Sequence, residues 1–311
     1  MNVNAEVNHN DFHKLIDLNS ELEQIATGFD FIEGPIWHPS YKSIIFSDIL
    51  GNSIYSWQAD VGTTKRKRHS YMANGNAYDL NGNLLTCEHA TSRLSRTNLT
   101  TGEYEVLASH FEDKQLNSPN DVVVKSDGSI YFTDPTSGRS AGFGVPRKPE
   151  LPFSGVYRLD PSTNTLTLLI DDFAKPNGLC FSEDESLLYV NDTERQHIRV
   201  FDVREDGGVE KACTEQGRNG RLFATLKITG SGVADGMKVD QQANLYCCGP
   251  GGIHIFTSAG QCLGIIKTPE QAANLCFGDN DMQSLYITAT TSLYRLRVNV
   301  PGVAIFKPNR D

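Results

Sequence analysis

The chain has 311 residues, of which 39% are hydrophobic and 21% charged, so it can bury a core and is not a disordered chain. Its formal net charge of −10 argues against nucleic-acid binding and against an anionic membrane surface, because both select basic faces. A small neutral or cationic ligand, or a metal ion, is compatible with this charge. Length alone leaves one large domain or two smaller ones open.

The first thirty residues contain neither a basic segment nor a continuous apolar stretch, so we expect no signal peptide. No later stretch reaches the roughly 18 apolar residues of a membrane span. The seven cysteines are odd in number and form no CxxC motif, which favours free thiols in a reducing compartment and disfavours a thiolate zinc site. We therefore expect a cytoplasmic protein, monomeric or weakly dimeric, without nucleic-acid or membrane partners.

Residues 1–24 are expected to form an N-terminal extension with at most a short helical turn. After it, one unit recurs six times: a polar residue, a short apolar run, a turn with Gly, Asp or Asn, and a second apolar run. In chain order the copies are "EGPIWHPSYKSIIF" (33–46), "NGNAYDLNGNLL" (74–85), "NDVVVKSDGSIY" (120–131), "NGLCFSEDESLLY" (177–189), "DGMKVDQQANLY" (235–246) and "NLCFGDNDMQSLY" (274–286).

Each interval between copies holds two further strand-like runs, such as "SGVYRLD" and "LTLLIDD". Four strands in a unit of roughly 40–50 residues are typical of a propeller blade. We predict an all-β fold, a six-bladed β-propeller of four-stranded antiparallel blades over residues 25–311. The early strand "LEQIATGF" is expected to complete the last blade and so remove an exposed edge. A two-sheet sandwich is the alternative, but it would not explain six copies.

The polar residue that opens each copy predicts a binding site. The first strand of a propeller blade lines the central channel, so equivalent positions face one another around the axis. These positions are Glu33, Asn74, Asn120, Asn177, Asp235 and Asn274. All six carry side-chain oxygens, which hard cations prefer. At any single position a turn residue that bonds a nearby backbone N–H is the simpler explanation. Six such residues at the same position of the repeat favour a binding site.

The charges at these positions suit a divalent cation. Glu33 and Asp235 bring two negative charges, and the amides add oxygens without adding charge. Ca²⁺ fits this shell best, with Mn²⁺, Mg²⁺ and Zn²⁺ as alternatives, and no other cofactor is predicted. We expect that not all six bind directly and that Asn74 and Asn274 support the ring.

A cation held on one side and open on the other can polarise a carbonyl oxygen and orient water, so the sequence favours metal-assisted hydrolysis of an ester-like bond. Asp235, in the Gly-flanked "ADG", is the candidate general base. Glu33, in the Pro-restricted "EGP", is the candidate fixed ligand. Other hydrolase motifs are missing, since the sequence has neither a GxSxG elbow nor an HExxH zinc motif.

Three further segments carry expectations. His89, after the second copy, is a candidate substrate contact, with a surface or capping role as the alternative. The Gly- and Pro-rich loop around 138–153 is expected either to cover one channel face as a lid or to be an ordinary surface loop. The basic run "KRKRH" (65–69) is expected to be a solvated turn between blades.

The stretches "EGPIWHP", "LNSPNDVVVKSDGSIYFTDPTSG", "KPNGLCFS", "ADGMKVD" and "CGPGGIHIF" resemble the gluconolactonase/regucalcin (SMP-30-like) family of six-bladed propellers. The similarity covers about residues 25–298 and is closer to the bacterial-type gluconolactonases than to regucalcin.

The resemblance implies a divalent-metal enzyme that hydrolyses aldonolactones to sugar acids. It implies that Glu33, Asn177 and Asp235 are metal ligands and that Asp235 is also the acid/base residue. It places Asn120 beside the metal, in contact with it or with the substrate. Asn74, His89 and Asp134 (in "FTDP") are further candidates for substrate contact. One departure is Ser118, where regucalcin-type members have arginine.

The leading hypothesis is therefore a lactonase acting on a sugar lactone such as glucono-1,5-lactone. Two alternatives stay open at this point. The same metal site could hydrolyse other lactones or phosphotriesters, or the propeller could bind Ca²⁺ without catalysis. An interaction propeller is disfavoured because the WD dipeptide signature is missing.

Overall fold

The computed structural model describes residues 1–210, 220–227 and 230–304. Within these ranges the chain forms 27 β-strands, one four-residue α-helix and one 3-10 turn. In chain order the elements are β1 (Asn4–Val7), α1 (Phe12–Leu15), β2 (Leu22–Thr27), β3 (Ile32–His38), β4 (Ser43–Asp48), β5 (Ser53–Gln58), β6 (Gly62–Arg68), β7 (Ala73–Tyr78), β8 (Leu84–Glu88), β9 (Arg93–Thr97), β10 (Tyr104–Ala108), β11 (His110–Phe111), β12 (Lys114–Gln115), β13 (Val122–Val124), β14 (Ile130–Asp134), the 3-10 turn (Ser137–Arg139), β15 (Ser154–Asp160), β16 (Thr165–Phe173), β17 (Pro176–Phe181), β18 (Leu187–Asp192), β19 (His197–Asp202), β20 (Arg221–Thr225), β21 (Met237–Val239), β22 (Leu245–Gly249), β23 (Gly252–Phe256), β24 (Cys262–Lys267), β25 (Ala272–Gly278), β26 (Ser284–Ala289) and β27 (Ser292–Arg297).

These strands form six antiparallel blades around a channel, which confirms the predicted six-bladed propeller. Blades one to four are the consecutive sets β3–β6, β7–β10, β13–β16 and β17–β20. Blade five contains β21–β24, and β1 adds a fifth strand at its outer edge. Blade six contains β25–β27 and is completed by β2. The ribbon β11–β12 lies between blades two and three.

The ring closes as the sequence predicts, because β2 pairs antiparallel with β27 from Leu22 opposite Leu296 to Thr27 opposite Ser292. This pairing closes the ring between β2 and β27, and it gives the last blade its fourth strand. The preceding segment also packs on the body: Phe12 is fully buried in the cluster formed with blades five and six.

Within blade one, the strands become more exposed to solvent from the channel axis outward. The inner strand β3 is buried at every position, whereas the outer strand β6, "GTTKRKR", alternates between half-buried and exposed. The basic run at 65–69 was therefore wrongly predicted to be a turn, because residues up to Arg68 pair with β5 as an edge strand. Lys65 lies over the Tyr55 ring at 5.0 Å, which suits a charged residue on a blade edge.

Five apolar clusters fill the spaces between adjacent blades. At the junction of blades six and one, for example, Trp37 stacks on Tyr286 with ring centroids 5.9 Å apart. The apolar side chains therefore lie between the blades, and the inner strands line the channel. No helix in the described ranges is long and apolar enough to cross a membrane.

Candidate active site in the central channel

The six predicted positions lie at one end of the channel. Each stands at or just before the start of an inner strand, or within its first residues, and the inner strands are neighbours around the ring. All six side chains are at least nine-tenths buried. Burying a polar group costs free energy unless it finds a partner, so the partners decide what each residue does.

Glu33 and Asp235, from blades one and five, lie close enough at this end of the channel for each carboxyl group to shift the pKa of the other. Burial, followed by the nearby charge of Asp121, raises the pKa of Glu33 from 4.5 to about 7. Burial and then the charge of Glu33 raise the pKa of Asp235 well above its ordinary value. Two carboxylates this close in an apolar setting disfavour each other's ionised form.

No positively charged side chain in residues 1–210, 220–227 and 230–304 forms an ion pair with Glu33 or Asp235. A bound cation would supply the missing partner, and the donors present are carboxylate and amide oxygens. No group of three or more His, Cys, Asp and Glu side chains suited to a metal was found in the described ranges. The donor set therefore fits an oxygen-preferring cation better than a zinc site built from histidine and cysteine.

Asn177 is held in a fixed orientation next to Asp235. Its Nδ2 donates to Oγ1 of Thr193 at 2.9 Å, and Thr193 in turn donates to the carbonyl of Ala234 at 2.7 Å. Asn177 also lies close enough to Asp235 to lower the pKa of that carboxyl group. Because the N–H groups are used in this way, the amide oxygen remains for a ligand, as expected for a cation-binding asparagine. Thr193 was not predicted from the sequence.

Asn274 has both ends of its amide engaged. Its Nδ2 donates to Oε2 of Glu33 at 2.9 Å, and its Oδ1 accepts from the backbone N–H of Leu275 at 2.8 Å. Asn274 therefore supports Glu33, and its amide oxygen already accepts one backbone hydrogen bond. This arrangement agrees with the expectation that Asn274 supports the ring.

Asp121 is a third carboxylate in the channel, and sequence reasoning missed it. It follows Asn120 directly, is buried, and accepts from the N–H of Val122 at 2.9 Å through Oδ1. Its Oδ2 has no hydrogen-bond partner among the described residues. Burial raises the pKa of Asp121, and the positive charge of Lys238 acts against that rise. The signal was present in "PNDVVV", where two polar residues rather than one precede the buried strand.

Asn74 and Asn120 line the same end of the channel. Asn74 donates from Nδ2 to Nε2 of His89 at 3.0 Å, and Nδ1–H of His89 donates to the carbonyl of Phe143 at 2.8 Å. Burial lowers the pKa of His89 to about 4, so the ring is neutral at physiological pH. The backbone of Asn120 bonds Thr133 and Gly75, which ties blade three to blade two.

The loop at 138–153 reaches across blade boundaries. Phe143 on this loop packs edge-on against Phe31 of blade one with ring centroids 5.0 Å apart, and its carbonyl bonds His89 of blade two. Arg147 donates to the carbonyl of His89 at 2.8 Å, and Arg139 donates to the carbonyl of Asn117 at 2.8 Å. The loop is thus bonded to the channel end that holds the carboxylates, as a cover for this face would be.

Asp134 contributes to the site by binding backbone N–H groups of a neighbouring segment. Its carboxylate accepts from the N–H groups of Asn117 at 2.8 Å and Ser118 at 2.7 Å, and the side chain is fully buried. Burial raises its pKa to about 7, although the two backbone N–H groups favour the charged form. In this conformation Asp134 positions the segment leading to Asn120 and has no surface left for a substrate.

The sequence model of the SMP-30/Gluconolactonase/LRE-like region matches residues 31–291. A gluconolactonase of Zymomonas mobilis is 30% identical over 306 residues, which cover 93% of this chain and 84% of the relative. A pentonolactonase of Haloferax volcanii is 24% identical over 262 residues, covering 82% of this chain and 80% of the relative.

Among solved structures, a gluconolactonase from Xanthomonas campestris superimposes with a TM-score of 0.85 at 32% sequence identity, covering 94% of each chain. All six channel positions lie inside the segment matched by the family. The likeness therefore includes the part of the fold that brings the carboxylates together.

Proposed function

The chain belongs to the SMP-30/gluconolactonase/LRE-like family and is a lactone hydrolase, and we propose that it hydrolyses a sugar lactone such as glucono-1,5-lactone with a divalent cation held in the channel. The substrate class is supported by the names of its relatives, a gluconolactonase and a pentonolactonase. Ca²⁺ is the proposed cation because the available donors are oxygens.

The observation that carries the proposal is the pair formed by Glu33 and Asp235. Two buried carboxyl groups from different blades lie close enough at the channel end to shift each other's pKa, and no cationic side chain in the described residues forms an ion pair with them. Such an arrangement is costly unless an ion compensates it. Glu33, Asn177 and Asp235 would hold the cation, and Asn120 would lie beside it as a further oxygen donor.

A cation bound there would polarise the lactone carbonyl and offset the negative charge that develops on its oxygen. Asp235 is the proposed general base, which takes a proton from the attacking water at its carboxylate oxygen. Asn177 lies beside Asp235, favours its ionised form by lowering its pKa, and is itself held by Thr193. The base is thus oriented by contacts made before substrate binds.

Substrate binding would use the groups at the rim of the same channel end. Asn74 is oriented by neutral His89, so its amide oxygen points away from that hydrogen bond and can accept from a sugar hydroxyl. Phe143 on the 138–153 loop covers the face next to Phe31 and would limit the access of water. These contacts suit a small, polyhydroxylated ring more than a bulky apolar ester.

The test is a substrate panel on protein freed of metal and then loaded with one cation at a time. We expect hydrolysis of gluconolactone and pentonolactones to be lost on metal removal and restored by Ca²⁺ or Mn²⁺. Including an aromatic lactone, an acyl lactone and a phosphotriester separates the sugar-lactone proposal from the broader hydrolase alternative. Metal binding without turnover of any substrate would favour a non-catalytic propeller.

Asp235→Asn tests the base. It should reduce kcat by at least about a hundredfold, as loss of a general base does, while the thermal unfolding curve keeps its shape. Thr91→Ser, on the loop after β8, is a matched control, since Thr91 bonds Glu88 and no residue of the proposed site. Wild-type kcat in Asp235→Asn would exclude this residue as the base.

A further inference from the structure

A second cavity lies at the other end of the channel from Glu33 and Asp235. The predicted site positions stand at or near the starts of the inner strands. This cavity is lined instead by later residues of the inner strands of blades one to five and by the turns that follow them. Its volume is about 560 Å³, which is the size of a small-molecule pocket. We call it the far-end cavity.

Apolar side chains line the part of the far-end cavity that the strands form. Blades one to five each contribute a buried apolar residue, namely Ile36, Ala77, Val122, Cys180 and Val239. After β27 the chain returns to this end and adds Val303 and Ala304 to the wall. This segment is fixed in place, because the N–H of Val303 donates to the carbonyl of Val239 at 3.1 Å. The wall therefore suits a ligand with an apolar body.

Lys238 is a buried cation in this apolar wall. It is 8% exposed, and its Nζ donates to the carbonyl of Met237 at 2.9 Å. An ammonium group has three N–H donors, so two of them find no acceptor among the described residues. None of the ion pairs in the described ranges includes Lys238. Burying an unpaired charge costs free energy that an apolar side chain of similar length would not cost, which points to an anionic ligand.

Two other polar side chains of the cavity are already engaged. Nδ2 of Asn76 donates to a backbone carbonyl of blade one at 2.9 Å, and its Oδ1 accepts from Oγ1 of Thr86 at 3.1 Å. Lys125 forms ion pairs with Asp127 at 3.1 Å and with Glu185 at 3.4 Å. Lys125 is therefore compensated within the protein, whereas Lys238 has donors left for a ligand.

We propose that the far-end cavity binds a small monocarboxylate with an apolar body, and that the carboxylate pairs with Nζ of Lys238. One buried ammonium group matches one negative charge. The acidic turn 183–185, which also borders the cavity, opposes ligands with several negative charges, such as phosphates. The apolar wall opposes a sugar acid, whose hydroxyl groups would lose water without gaining partners. The site is separate from the proposed active site and does not depend on the proposed cation.

The experiment compares phenylpropionate with its uncharged amide, phenylpropionamide, by isothermal titration calorimetry on the full-length protein. We expect the wild-type protein to bind the carboxylate at least about tenfold more tightly than the amide, because a hydrogen bond to a charged group is the stronger one. Lys238→Met keeps an unbranched side chain without its charge, so it should abolish this preference by weakening the carboxylate alone. Lys238→Arg should keep the preference. Gluconate and inorganic phosphate should not compete with phenylpropionate.

Lys125→Met is the matched control, because Lys125 also borders the cavity but is already paired. This variant should keep the wild-type preference for the carboxylate. Equal affinity of the wild-type protein for both probes, or an unchanged preference in Lys238→Met, would overturn the inference, and so would failure of both probes to bind. If Lys238→Met does not fold, a crystal of the wild-type protein with a brominated phenylpropionate decides the question. Bromine density in the far-end cavity, with the carboxylate on Nζ of Lys238, would support the inference, and density elsewhere would refute it.

Discussion

The metal-free protein should lose stability as the pH rises from about 4.5 to about 7, and the Ca²⁺-loaded protein should lose less. Glu33 in the folded protein has its pKa raised from 4.5 to about 7, chiefly by burial. In the unfolded chain the same group releases its proton near the ordinary value. Between these two pH values the native state therefore holds a proton that the unfolded state does not.

The sign and size follow from this difference. Stability falls with pH wherever the native state binds more protons, so the contribution is complete below about 4.5 and lost above about 7. At about 1.4 kcal/mol for each pH unit, the raised pKa of Glu33 corresponds to about 3 kcal/mol. Asp235 has its pKa raised as well and adds to the loss in the same direction. A cation that replaces the shared proton removes this penalty.

The assay is urea unfolding at pH 5, 6, 7 and 8, on metal-free protein and on protein saturated with Ca²⁺. Asp134, with its pKa also raised to about 7, adds the same pH dependence to both forms, so the difference between the two curves isolates the channel pair. Glu33→Gln is the control, and its metal-free stability should depend less on pH. A gap between loaded and metal-free protein that stays constant from pH 5 to 8 would refute the reasoning.

Two substitutions test the support of the site. Thr193→Val removes the hydrogen bonds to Asn177 and Ala234, and we expect a loss of about 1 kcal/mol of stability together with weaker Ca²⁺ binding, measured by calorimetry. Gly178→Ala places a Cβ against the backbone of Asp235, so it should cost about 1–3 kcal/mol in urea unfolding and lower kcat/KM. In Gly142→Ala the new Cβ meets no atom within 4 Å, and unchanged stability is expected; equal losses in both glycine variants would contradict the steric explanation.

The blades could be predicted because each repeats one local pattern. The closure by β2 followed from the need to cover the edge of blade six. The N-terminal addition was harder to predict, since β1 pairs with β24 across more than 250 positions of sequence and its four residues carry no distinctive pattern. The run at 65–69 was misjudged because a charged outer strand and a charged turn have the same composition.

The site was predictable to the extent that it repeats with the blades. Glu33, Asn177 and Asp235 occupy one phase of the repeat, and the structure brings them together. Asp121 and Lys238 do not occupy that repeat position. Their effect on the site comes from the charges that lie near them across the channel. Such pairings depend on which blades face each other. A repeat pattern in a single sequence does not give the distance between side chains of different blades.

Closing the ring with β2 has a consequence for synthesis. The strand Leu22–Thr27 is synthesised before β3, but its partner Ser292–Arg297 is synthesised only after β26. The newborn polypeptide must therefore carry an unpaired strand while β3–β26 are made, during which this strand can pair with another chain. Premature termination before β27 would deny this strand its partner and leave the sixth sector of the ring open.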